Sequence, residues 1–160
     1  MESFENIYES ALQRLNDYLE TSQMRKTPER QEVLRTICRM PGIFTINEVA
    51  ERMQQDAAFR VSRTTIFNTL DLFVEARLVM KHTLLHTNSF ELVQGTSPRV
   101  YLFCQECASL RRLERPELNR YLSTVKTRLF TVRQPLLYLC GECKKCAQAR
   151  KRKEKVKKTR

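Results

Sequence analysis

Six cysteines are the residues of this 160-residue chain best suited to chemistry, and five of them fall into two clusters. Cys104 and Cys107 form a Cys-x-x-Cys pair within YLFCQEC. Cys140, Cys143 and Cys146 follow at even spacing within LCGECKKC. Two thiolates three residues apart close a tight loop over a tetrahedral ion, and two such pairs complete a zinc shell. A shell of four thiolates has no open position, so it implies a structural metal and not a catalytic one. More than 30 residues separate the clusters, so the metal would staple distant parts of a small α/β unit. The second pair is either Cys140 with Cys143 or Cys143 with Cys146, and spacing does not choose between them.

Composition supports metal over disulfides. The N-terminal MESFENIYES lacks the basic start and apolar run of a secretory signal. No apolar run approaches 18 residues, so no membrane span is expected. A cytoplasmic chain is the expectation, and there paired cysteines indicate metal. The sixth cysteine, Cys38, sits on the apolar face of a helical pattern and reads as a small core residue.

Charge is the second signal. Of the formal net charge of +11, Arg150–Arg160 supplies +7, with eight basic residues and one acidic. Such a run attracts phosphate by counterion release, or serves as a solubilising, disordered tail. The chain has no Trp, and its scattered aromatics make no base-stacking platform.

The elements ahead of the cysteines follow from apolar spacing. Ile7, Tyr8, Ala11, Leu12, Leu15 and Leu19 form one amphipathic helix. Thr27-Pro28 starts a second, carrying Val33, Leu34, Ile37 and Cys38, which stops before Pro41-Gly42. Thr45 and Glu48 make a capping box for a third. Val61–Ala76 forms a fourth, capped by Ser62, with Ile66, Leu70, Phe73 and Val74 inward. The last two have the layout of a helix-turn-helix. Leu78–Thr83 and Ser89–Val93 read as a short hairpin, a wing. The expected recognition surface on the fourth helix is Arg63, Thr64, Thr65, Phe67 and Asn68. Asn68 suits adenine, Phe67 and the Thr methyls suit a thymine methyl, and Arg63 suits guanine or phosphate.

Gln94–Pro98 is the linker-like stretch in the middle of the chain. Beyond it, Val100–Phe103, Leu110–Leu113 and Leu136–Leu139 read as strands and Pro116–Leu129 as a helix. The expected organisation is α+β: a winged-helix DNA-binding domain with an extra N-terminal helix (1–95), an α/β domain with a four-cysteine zinc site (96–148), and a disordered basic tail (149–160).

These motifs resemble those of the ferric uptake regulator (Fur) family. RKTPERQEVL, FTINEVAERM, VSRTTIFNTLDLF and LVMKH are similar to its DNA-binding half, and YLFCQEC and YLCGECKKC to its C-terminal half. The resemblance covers residues 22 to 146, with the motifs in order. It implies a homodimeric bacterial transcription regulator, often a repressor in iron homeostasis, with residues 96–148 as its α/β dimerisation domain, bound to palindromic double-stranded operators. It implies no membrane and no small-molecule substrate. The family's Ala-Thr-Val-Tyr-Arg appears here as Thr64-Thr65-Ile66-Phe67-Asn68, so operator preference is expected to differ. Arg25 and Arg30 retain the basic anchor ahead of the second helix. The family's second pair follows a strand and a glycine, which matches Gly141-Glu142-Cys143-Lys144-Lys145-Cys146. The resemblance therefore implies Zn2+ on Cys104, Cys107, Cys143 and Cys146. Cys140 is left over, read as a buried strand residue or, alternatively, a redox-sensitive thiol.

Metal sensing is where the resemblance weakens. The family's histidines before the first pair fall on Pro98-Arg99-Val100-Tyr101, and its other histidines fall near Ile43 and Pro135. An acidic ligand is replaced by Arg112, which puts a cation where a cation should bind. Only Glu91 keeps a ligand type. A site assembled from His82, His86 and Glu91 is one reading; both histidines as ordinary wing residues is the preferred one. The expectation is a retained structural zinc with Fe2+ or Mn2+ sensing lost or rebuilt. The rival function is a zinc-stapled basic module that docks protein or RNA. No Ser-His-Asp set or phosphate-cradling glycine loop suggests an enzyme.

Overall fold

The computed structural model describes residues 3–55, 60–85, 88–95, 97–132 and 135–158, with side chains to 154. The chain forms two compact units, Met1–Gln94 and Gly95–Arg160.

The first unit opens with α1 (Phe4–Thr21) and α2 (Pro28–Cys38), then β1 (Ile43–Thr45), α3 (Ile46–Gln55) and α4 (Arg63–Glu75). It closes with β2 (Val79–His82) and β3 (Ser89–Leu92). Helix starts follow the local sequence. Thr27 Oγ1 accepts from the Arg30 amide with Pro28 in the first turn. The Thr45–Glu48 capping box is reciprocal: Glu48 Oε2 accepts the Thr45 amide at 2.7 Å, and Thr45 Oγ1 accepts the Glu48 amide at 3.3 Å. Ser62 Oγ accepts the Thr65 amide at 3.1 Å and starts α4.

The core of this unit gathers Leu15 and Leu19 of α1, Leu34 and Ile37 of α2, Val49 of α3, and Ile66, Leu70 and Phe73 of α4. Phe44 and Phe90 stack at 6.4 Å and belong to the same core. The wing has a third strand that the hairpin expectation lacked. Ile43–Thr45 pairs antiparallel with β3, giving the order β1-β3-β2. Three residues carry too little alternation to announce a strand, and their pairing is set by Phe44 opposite Phe90.

A clamp ties the ends of this unit together. Arg77 adopts a left-handed φ of 57°, and the turn satisfies the α4 carbonyls through Leu78 N–H to Phe73 O at 2.8 Å and Arg77 N–H to Val74 O at 3.0 Å. Arg14 of α1 donates to Arg77 O at 2.7 Å and to Val93 O at 3.0 Å. One guanidinium thus joins α1, the turn after α4 and the end of β3.

The second unit contains β4 (Arg99–Cys104), β5 (Leu110–Arg112), α5 (Pro116–Thr124), β6 (Leu136–Gly141) and α6 (Lys144–Lys158). Its sheet has the order β5-β4-β6, with β5 antiparallel and β6 parallel to β4. The parallel pair requires a crossover, which contains α5. Two expectations are corrected. The helix from Pro116 ends at Thr124 and not at Leu129: Val125 leaves helical geometry for an extended ψ of 112°, and the Ser123 and Thr124 hydroxyls bond the last-turn carbonyls of Asn119 and Tyr121. Residues 149–158, expected to be disordered, continue α6. Alanine, glutamine, lysine and arginine favour helix there, and no glycine or proline interrupts them. Arg150 adds ion pairs to Glu142 and Glu154.

Candidate metal centre and nucleic-acid interface

The sheet of the second unit builds the metal centre. Cys104 ends β4 opposite Gly141, so the start of the first cysteine loop lies beside the end of β6. Cys104 N–H donates to Ser109 O at 2.9 Å, closing the turn between β4 and β5. Gln105 N–H donates to Gly141 O at 2.9 Å, fastening that turn to β6. Ala108 takes a left-handed φ of 54° just past Cys107 and lets the loop fold back. From Gly141 the chain passes through Cys143 into the first turn of α6, which carries Cys146.

The result brings together Cys104, Cys107, Cys143 and Cys146, whose sulfurs all lie within 4.8 Å of one another. Cys107 and Cys143 sulfurs are 3.9 Å apart. Tetrahedral zinc with Zn–S bonds near 2.3 Å needs sulfurs about 3.8 Å apart. The donor set and its spacing therefore fit a structural Zn2+.

Electrostatics agree with that fit. The Cys143 amide donates to Cys104 Sγ at 3.3 Å, and this bond with the Cys107 amide lowers the Cys104 thiol to about 6. Ser109 Oγ, 3.2 Å from Cys107 Sγ, lowers that thiol too. Cys146 is pushed up to about 12, first by Cys143 and then by Cys107. Four adjacent thiolates repel, and a divalent cation is what allows all of them to ionise.

Cys140 is left out for a geometric reason. Successive strand residues face opposite sides of a sheet. Cys140 pairs with Phe103, whereas the neighbouring Gly141 pairs with Cys104. Cys140 therefore points away from the face that Cys104 occupies. It is exposed, contrary to the expectation of a buried strand residue, because β6 is an edge strand with solvent at its end. Cys38 packs against the helical core, and burial pushes its thiol up to about 11.

The fourth helix carries the residues expected to meet DNA. Ser62, Arg63, Thr64, Phe67 and Asn68 are exposed, Thr65 is half-buried, and Ile66, Thr69 and Leu70 are buried. One face of α4 thus enters the core and the other presents polar groups, an arginine and one aromatic ring. Arg25 is exposed just ahead of α2, and Arg30 donates from its guanidinium to the Arg25 carbonyl.

The positions considered for sensing are mostly apolar or cationic. Ile43 lies in β1, Arg99, Val100 and Tyr101 are buried in β4, and Arg112 is exposed on β5. His82 is not an ordinary exposed wing residue. It is buried in β2, with Nε2 3.2 Å from Glu91 Oε2 on β3. The two strands are antiparallel and His82 lies opposite Ser89, which brings Glu91 into reach across the sheet. His86 lies outside the described residues. Sequence reasoning missed the Arg14 clamp, and it set aside the grouping of His82 with Glu91 that the sheet brings into contact. Both join residues far apart in the chain or on different strands, which local spacing does not reveal.

Among the described residues, no helix is long and apolar enough to cross a membrane. The fold is similar to those of several solved regulators. The ferric uptake regulator from Pseudomonas aeruginosa, solved with manganese, superposes with a TM-score of 0.64 at 20% identity, over 81% of this chain and 97% of that one. The Helicobacter pylori ferric uptake regulator, described as having three functional metal binding sites, gives 0.58 at 16% identity, over 91% and 95%. A zinc uptake regulator complexed with zinc and DNA gives 0.52 at 20% identity, over 94% and 99%. No curated protein matches the chain in sequence. The ferric uptake regulator family profile matches residues 21–139, most of the chain, and the chain therefore belongs to that family.

Proposed function

We propose that this chain is a homodimeric, sequence-specific DNA-binding transcription regulator, with structural Zn2+ on Cys104, Cys107, Cys143 and Cys146 and without the usual metal-sensing ligands. The observation that carries the DNA reading is α4. It follows α3 in a helix-turn-helix, is capped by Ser62, and exposes Arg63, Thr64, Phe67 and Asn68 on the face opposite its buried one. A related zinc uptake regulator solved with DNA supports the same use of the fold. The Phe67 ring suits contact with thymine methyls, and the Asn68 amide suits adenine.

Exposed apolar groups in the second unit support dimerisation. Leu102 and Leu139 are register partners on one sheet face, both exposed. Tyr121 is 67%, Phe130 71% and Leu129 98% exposed. Such groups suit burial against a second copy.

Two measurements test the reading. In the first, duplexes bound by the zinc-loaded protein are selected from a random pool. Replacing Phe67 and Asn68 by Ala should lower discrimination between selected and random duplexes by about 10-fold or more, at roughly 1–3 kcal/mol for each lost base contact. Fold and dimer should persist. Unchanged discrimination would show that α4 does not read bases. In the second, Fe2+ or Mn2+ is titrated into zinc-loaded protein. No further site that raises DNA affinity is expected, since the sensing positions hold Arg99, Val100, Tyr101 and Arg112. Micromolar binding that tightens the DNA complex would contradict the loss of sensing.

A further inference from the structure

The helix α6 has an uneven distribution of charge that the metal centre does not explain. Its one acid within the described side chains, Glu154, pairs with Arg150 at 3.2 Å. Arg150 also grips Glu142, just ahead of the helix, through two bonds of 3.1 and 3.2 Å. One side of α6 is thereby neutralised. Lys144, Gln148 and Lys151 follow at intervals of four and three, and Arg152 lies four beyond Gln148, so they share another, broad side, with exposed Lys145 at its border. Lys144, Lys151 and Arg152 are all exposed, and among the described residues no acidic side chain pairs with them.

This helix lacks what a membrane surface or an apolar protein groove requires. Its apolar members among the described side chains are Cys146, Ala147 and Ala149, too small to enter a membrane or fill a protein groove. What remains is a line of cations along about 12 Å of helix axis. Duplex DNA offers one phosphate charge per about 1.7 Å of its axis, and contact with it needs no apolar face. The base of the helix is fixed, because Cys143 and Cys146 belong to the thiol cluster. The cations are therefore held on a rigid rod and not on a floppy tail.

We propose that α6 is a second, sequence-independent DNA-binding element, in which Lys144, Lys151 and Arg152 engage backbone phosphates of duplex DNA. This deepens the DNA-binding reading by adding a surface that α4 does not contain, and it is testable without knowing the operator.

The test compares the full-length, zinc-loaded protein with a Lys144→Gln/Lys151→Gln/Arg152→Gln variant. A second variant, Arg120→Gln/Lys126→Gln/Arg128→Gln, removes the same charge from exposed positions elsewhere in the same unit. Binding to a random-sequence duplex of about 30 base pairs, roughly three helical turns, is followed as salt rises. Each phosphate contact contributes about 0.9 to the slope of log K against log salt. The α6 variant should lose about 2 to 3 from that slope, while the control variant loses less than about 1. Circular dichroism and the Co2+–thiolate absorption of the metal-substituted protein should be unchanged, confirming an intact fold and cluster. An unchanged slope in the α6 variant overturns the proposal, and so does an equal loss in the control. Binding to phosphatidylserine vesicles that depends on α6, with DNA binding unaffected, also overturns it. If selection yields no preferred sequence yet the α6 variant still loses slope, the regulator reading fails and this one stands. If preference is found and the slope does not move, this one fails alone.

Discussion

At the scale of single residues, the cysteines divide into three roles by surroundings alone. Four share a cluster, Cys140 faces the other side of the sheet, and Cys38 is sheltered by the helical core. Cys38 gives a prediction with a definite sign. Its thiol is raised from 9.0 to about 11 by burial, so between these values the unfolded chain binds fewer protons than the native one. Stability contributed by Cys38 is therefore present below pH 9 and is lost as pH climbs toward about 11. Chemical denaturation at neutral pH and near pH 10 should show a larger loss for the wild type than for Cys38→Ala. Equal losses would mean that the thiol is not shielded. The placement of Cys38 was legible in the sequence, since helical spacing put it with Val33, Leu34 and Ile37. The exposure of Cys140 was not, because spacing says nothing about which strand ends at an edge.

At the scale of elements, caps were legible and clamps were not. Thr27-Pro28, Thr45 with Glu48, and Ser62 each announce a helix start through chemistry within four residues. Arg14 instead acts across 63 and 79 residues, on Arg77 O and Val93 O. Arg14→Met keeps much of the stem but removes both hydrogen bonds. It should destabilise the first unit by about 1–3 kcal/mol, given the usual worth of bonds from a charged donor at a half-buried site. Urea unfolding should show an earlier midpoint with an unchanged slope. No shift would mean that water replaces the guanidinium at no cost. The helix α6 shows the opposite error: composition suggested disorder, while residue-by-residue propensity and the Arg150 ion pairs favour helix.

At the scale of the whole molecule, the two units are held together internally by different forces. The buried apolar cluster runs from Ala11 to Leu92, entirely within the first unit. The second unit buries Val100, Tyr101 and Cys104 but leaves Leu102, Leu129, Phe130 and Leu139 exposed. A unit with so small a core depends on a staple. Chelating the metal should therefore unfold Gly95–Arg160 and leave Met1–Gln94 folded. Hydrogen exchange would show amides of β4 and β6 becoming fast while those of α2 and α4 stay protected. Loss of protection in both units at once would show that the metal supports the whole chain. The cysteine pairs announced such a staple from sequence. The weakness it offsets became visible only when burial could be compared between the units.

The register of β6 has a consequence for folding fidelity. To offer Cys140 and Cys143 in place of Cys143 and Cys146, the strand must slide by three residues. Three is odd, so every β6 side chain would change sides of the sheet. Tyr138, now stacked on Tyr101 with ring centres 5.6 Å apart, would lose that partner. The even spacing of the cysteines thus presents the metal with a decoy, and the alternation of the strand rejects it. The tyrosine pair thus favours the register that leaves Cys143 and Cys146 beside Cys104 and Cys107.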